Sequence, residues 1–261
     1  MELISPSGKT YKVSECIGET DTYTLYECVL EGEQTAILKI VKSKDQNGKL
    51  DREAYFLNTL KEKAIQLDTE GLGYIRFFPT IIETFIVPEQ GDRRVIILSF
   101  SEVCETLSEL TPLGRILSTE RKRIDPKTSV WILGRLLKLL HFAHKLGINV
   151  TLNGENILIN RDRHHVTIFD WSDSTNNVDE DGAKNQISDA ATEVVCALGG
   201  DFETQTIPAD KDLEDDWYQD LVFGFVKGCH DDAGKAHTVF YEIVGSKWPS
   251  KFYLFTAYPV K

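Results

Sequence analysis

GINVTLNGENILIN, residues 147–160, runs on into RDRHHVTIFDW, residues 161–171, and the fold turns on how this stretch is read. It follows a long helical segment, DPKTSVWILGRLLKLLHFAHKLG, in which Asp125 offers the N-cap, Pro126 the first helical position and Gly147 the stop. NILIN and HVTIFDW are short apolar and β-branched runs joined by the polar turn RDRHH, which predicts two strands. A loop rich in Asp, Asn and Ser comes next, then two helical segments, ISDAATEVVCALGG and DWYQDLVFGFVKGC. The later part of the chain therefore reads as mainly helical.

Upstream the pattern is different. YKVSECIG, YTLYECVLEG and QTAILKIVK carry β-branched and aromatic residues in short runs, broken at Gly18, at EGEQ and at KDQNGK, which predicts an antiparallel meander. KLDREAYFLNTLKEKAIQL then sets Leu50, Ala54, Leu57 and Leu60 at helical spacing with charges on the other face. FFPTIIETFIVPE and RRVIILSFSEV supply two more strands around the turn signal PEQGDRR. Five strands and one helix make a β-rich part over residues 1–103, and residues 104–261 form the helical part. The class is α+β, with no internal repeat and no low-complexity tract.

Several polar residues stand where polarity needs a reason. AILK, Ala36 to Lys39, places a lysine inside an apolar strand, and Glu53 lies on the helix that follows. Gly18 opens GETDTYTL. Thr151 and Asn156 are five positions apart in the opening stretch, and Asp170 lies one hairpin later in TIFDWSDS. Taken in this order, the constellation resembles the protein-kinase superfamily over most of the chain, from about Tyr11 to Gly228. The expected fold is then a bilobal, protein-kinase-like one, with a small antiparallel β lobe carrying one helix and a larger helical lobe.

The resemblance implies roles. Lys39 would hold the α- and β-phosphates of ATP, and Glu53 would orient it through a charge-assisted hydrogen bond. Asn156 and Asp170, at the positions of the catalytic-loop asparagine and the D-F-G aspartate, would bind Mg²⁺ through oxygen. Of the Gly-rich phosphate loop only Gly18 remains, because Thr20 and Tyr23 fill the other two positions, and side chains there restrict the approach of backbone N–H groups to phosphate. Ile37, in place of the usual alanine, narrows the adenine pocket. The histidine and aspartate of H-R-D have become Asn149 and Thr151, and a hydroxyl does not accept a proton near neutral pH as a carboxylate does. Trp171 and Ser172 replace the phenylalanine and glycine of D-F-G; an Asp-Trp pair also occurs in small-molecule phosphotransferases of the superfamily. Asp189 falls where the family carries a buried aspartate that braces the catalytic loop. Only 18 residues separate Asp170 from Asp189 and no A-P-E motif appears, so the peptide-docking platform is expected to be reduced.

The remaining features are blander. A net charge of −12 argues against a general affinity for nucleic acid or anionic membrane. Five scattered cysteines without a CxxC pair, an N-terminus without an apolar run and the lack of a spanning segment point to a cytoplasmic protein with reduced thiols. His141 and His144 read as packing or solvent residues, His164 and His165 as exposed turn residues, Asp173 as part of a solvated loop, and DLEDDW, 212–217, as an acidic helix start. The leading expectation is a pseudokinase or degenerate kinase that binds ATP with Mg²⁺ and serves a protein partner, with weak or no phosphotransfer. The alternatives are an active atypical ATP-dependent phosphotransferase, acting on a small molecule or transferring another part of ATP, and an interaction module that binds no nucleotide.

Overall fold

The structure, a computed structural model, describes residues 2–30, 34–67, 73–209, 216–248 and 253–260. The turn EGEQ, apart from Gln34, and residues 212–215 of DLEDDW lie outside them. The chain divides into two compact units, Met1–Glu109 with Asp170–Ser174, and Leu110–Phe169 with Thr175–Lys261.

In the first unit the strands β1 (Glu2–Ile4), β2 (Thr10–Glu19), β3 (Tyr23–Val29), β4 (Thr35–Val41), β5 (Thr80–Val87) and β6 (Arg93–Ser99) form one antiparallel sheet. Its order is β1-β2-β3-β4-β6-β5. The five strands expected from the sequence are β2 to β6. The sixth, β1, is three residues long and pairs with β2 across a tight turn, too short to show any periodicity of its own. β4 lies in the middle of the sheet and is buried from Ala36 to Val41. Alternation along the strand sends Ala36, Leu38 and Ile40 into a cluster with Tyr11, Val13, Cys28, Phe85, Val87, Val95 and Ile97. Ile37, Lys39 and Val41 point to the opposite face.

Helix α1 (Asn47–Leu67) buries Leu50, Glu53, Ala54, Phe56, Leu57, Leu60 and Ala64 and packs across β5 and β6. The i, i+3, i+4, i+7 stripe of an amphipathic helix thus includes a glutamate. That single violation of the apolar pattern places a carboxyl group against the sheet.

The second unit contains β7 (Leu110–Pro112), α2 (Leu113–Ser118), β8 (Lys122–Ile124), α3 (Pro126–Lys145), β9 (Ile148–Asn149), β10 (Ile157–Asn160), β11 (His165–Ile168), β12 (Thr175–Asn176), α4 (Glu180–Ala197), α5 (Trp217–Val226), α6 (Ala233–Lys247) and β13 (Ala257–Pro259). α3 starts as its sequence predicts: the Asp125 carboxylate accepts from the Thr128 N–H at 2.6 Å, and Pro126 takes the first helical position. It stops at Gly147, which has a left-handed φ of 72°. Leu133, Leu136, Leu137, Leu140 and Ala143 of α3 are wholly buried, and the helix packs against α4 and α6. β10 and β11 form the expected hairpin, with β7 on the outer side of β10. At its turn His164 is half-buried, its ring 5.0 Å from that of Trp131, where an exposed residue was expected; the aromatic edge contact outweighs the turn's polarity. All five cysteines are free thiols. Among the described residues no helix is long and apolar enough to cross a membrane.

Candidate functional site

Lys39 is the centre of a buried charge cluster in the first unit. Its ammonium lies 2.8 and 3.0 Å from the two carboxylate oxygens of Glu53, and 2.7 Å from Asp170 Oδ1. Lys39 and Glu53 are both inaccessible to solvent, while the Asp170 side chain keeps 21% of its surface exposed. A charge in such surroundings persists only when paired, and here one cation serves two carboxylates. Glu53 also accepts the Trp171 N–H at 3.2 Å. Trp171, fully buried and edge-on to Phe78 at 6.3 Å, anchors the segment that carries Asp170. Ser172 N–H adds a second hydrogen bond to Asp170 Oδ1 at 2.9 Å.

The two carboxylates titrate in opposite directions. Burial pushes the Glu53 carboxyl up to about 7, against the pull of Lys39. Burial also acts on Asp170, but Lys39 and the donors around it prevail and hold it down to about 2. Asp170 is therefore a fixed anion with part of its surface open, a hard oxygen donor that suits Mg²⁺.

The segment expected to be a phosphate loop is a pinned hairpin. Gly18 is a residue of β2 opposite Leu25 in β3, and a Cβ on it would come within 3.3 Å of Leu25 Cδ1. The turn is closed by Thr20, whose hydroxyl accepts from the N–H groups of Thr22 and Tyr23 at 3.2 and 3.1 Å, as Thr side chains do in tight turns. Tyr23 is the feature whose contacts sequence reasoning missed. Leu25 pairs with Lys39 across β3 and β4, so Tyr23, two residues earlier, lies on the same face and diagonal to Lys39, within aromatic reach. Its ring centroid is 3.8 Å from the Lys39 ammonium, and its hydroxyl donates to Asp170 Oδ2 at 2.5 Å. Burial and the neighbouring Asp170 push the phenol well above its ordinary value, so it stays a neutral donor. Asp173 is exposed and pairs with Lys49.

In the second unit the opening stretch forms a loop between β9 and β10. Asn156 is 6% exposed; its amide donates to the Thr151 carbonyl at 2.8 Å, and its own N–H bonds Asn153 Oδ1 at 2.9 Å. The first of these bonds fixes the orientation of the amide. Thr151 is exposed. The loop is braced from α4 by Gln186, which accepts the Val150 N–H and donates to Asn149 Oδ1, both at 2.6 Å. Asp189, expected in that role, is exposed in the middle of α4, because the helix already starts at Glu180 on an Asp179 N-cap. The buried stripe of α4 holds Ala183, Gln186, Ile187, Ala190 and Ala191, and a lone glutamine on it was the readable signal. His141 and His144 are half-buried on α3, and burial pushes both imidazoles below their ordinary value.

An N-terminal antiparallel sheet with one helix, followed by a helical part, is the α+β, bilobal fold of the protein kinases. A solved structure, that of vaccinia related kinase 3, matches with a TM-score of 0.61 at 14% sequence identity, covering 94% of this chain and 90% of that chain. No protein-family model matches the chain, and no curated protein does.

Proposed function

We propose that this chain binds ATP with Mg²⁺ and transfers phosphate weakly or not at all. The observation that carries the reading is the buried Lys39 held at 2.7 to 3.0 Å by Glu53 and Asp170. A sequence spends a buried cation and two carboxylates in one place at a cost in stability, and that cost is understandable if the cluster serves a ligand. Lys39 would hold phosphate oxygens, Glu53 would orient Lys39, and Asp170 would offer an oxygen to the metal, which when bound neutralises phosphate charge. Thr151 supplies no general base. The protein's role would then rest on nucleotide-dependent presentation to a protein partner.

A second reading, transfer to a small molecule, draws support from the segment after Asp170. α4 is under way by Glu180, which leaves little chain for a peptide platform, and positioning with electrostatics supplies most of the catalysis in phosphoryl transfer.

The test is a thermal-shift titration with ATP and Mg²⁺, followed by mass analysis of any product. At ten times Kd the ligand should stabilise the protein by about 1.4 kcal/mol, and Lys39→Ala and Asp170→Ala should reduce the shift. Wild-type protein with no shift at millimolar ATP would favour a module that binds no nucleotide.

A further inference from the structure

We infer that Tyr23 is a displaceable plug that competes with a magnesium–nucleotide for Lys39 and Asp170, and so sets the affinity of the site; this rests on the nucleotide-binding reading above. The phenol donates to Asp170 Oδ2 while Lys39 donates to Oδ1, and the ring covers the Lys39 ammonium. A metal needs the first position and a phosphate oxygen needs the second. One side chain, 6% exposed, therefore blocks both halves at once.

The backbone beneath it is held. Besides the Thr20 turn, Lys42 N–H donates to the Thr22 carbonyl at 2.9 Å, and Gln46 Nε2 donates to the Asp21 carbonyl at 3.1 Å. The movement left to the plug is rotation of the Tyr23 side chain, which costs its hydrogen bond to a charged group and its cation–π contact. Such a bond corresponds to about a tenfold or greater factor in affinity.

The test compares wild type, Tyr23→Phe and Tyr23→Ala in two measurements. Titration calorimetry with Mg·ATP should give a Kd about tenfold lower for Tyr23→Phe, which keeps the ring and the packing, and lower again for Tyr23→Ala. Acylation of Lys39 without nucleotide, read by mass spectrometry, should be several-fold faster in Tyr23→Ala than in wild type. Equal acylation would overturn the plug whatever the nucleotide does, and equal Mg·ATP affinity in all three would overturn the competition. Faster acylation with no variant binding Mg·ATP would support the plug and sink the nucleotide-binding reading instead.

Discussion

Glu53→Gln should make the folded protein relatively more stable at pH 8 than at pH 4. Glu53 is wholly buried, and burial pushes its carboxyl from the ordinary 4.5 up to about 7 even with Lys39 at 2.8 Å. Below pH 4.5 the group carries a proton both folded and unfolded and its titration has no effect on stability. Between pH 4.5 and about 7 the folded state must take up a proton that the unfolded chain has lost, so stability falls as pH rises. A rise from 4.5 to about 7 corresponds to a loss of about 3 kcal/mol, fully present above pH 7. Glutamine keeps the shape and an acceptor for Trp171 N–H, and Lys39 keeps Asp170 at 2.7 Å. Urea unfolding of both proteins at pH 4 and pH 8 reads the difference, since in the folded state Asp170 and Tyr23, the groups coupled to Glu53, titrate outside that range. The gap should move by about 3 kcal/mol in favour of Glu53→Gln at pH 8. A gap that stays constant, or moves against the variant, would mean that Lys39 outweighs burial. The variant should also respond less to Mg·ATP, because a neutral amide orients Lys39 less firmly than a carboxylate does.

Asp170→Asn should remove part of the acid limb. Asp170, held at about 2 against an ordinary 3.8, contributes about 2 kcal/mol above pH 3.8 that is lost as pH falls through 2, and an unfolding curve over that range should be flatter for the variant. Gln186→Leu leaves the buried Val150 N–H without its acceptor, so denaturant unfolding should report a loss of about 1–3 kcal/mol. Thr151→Asp restores a carboxylate at the position of the base, yet radiolabelled ATP should report no gain on generic peptides, because the segment after Asp170 is short and Thr20 and Tyr23 stand in place of two loop glycines. A clear rise on peptides would show that the missing base was the sole defect.

Most of this was legible where a residue breaks the pattern of its own element. Lys39 is a charge inside an apolar strand and Glu53 a charge on an apolar helical stripe, and both are buried where those patterns put them. Asp125, Pro126 and Gly147 bounded α3 because capping is local chemistry. The contacts of Tyr23 were not legible, since they depend on which residue of β3 faces Lys39, and register is set by the sheet as a whole. Asp189 was misplaced for a similar reason: the start of α4 is fixed by the Asp179 side chain bonding Gly182 N–H, which shifts the loop-facing position to Gln186. Strands of two or three residues such as β7, β9 and β12 carry no period at all. α6 went unread, although Ala233, Ala236, Phe240 and Val244 are buried at helical spacing.

The most direct test of magnesium–nucleotide binding is titration calorimetry of ATP into wild type and Asp170→Asn, with and without Mg²⁺. Wild type should bind saturably, with a requirement for Mg²⁺, and Asp170→Asn should lose that requirement together with most of the affinity. Wild type that takes up no ATP at millimolar concentration, or that binds equally well after Asp170→Asn, would contradict it.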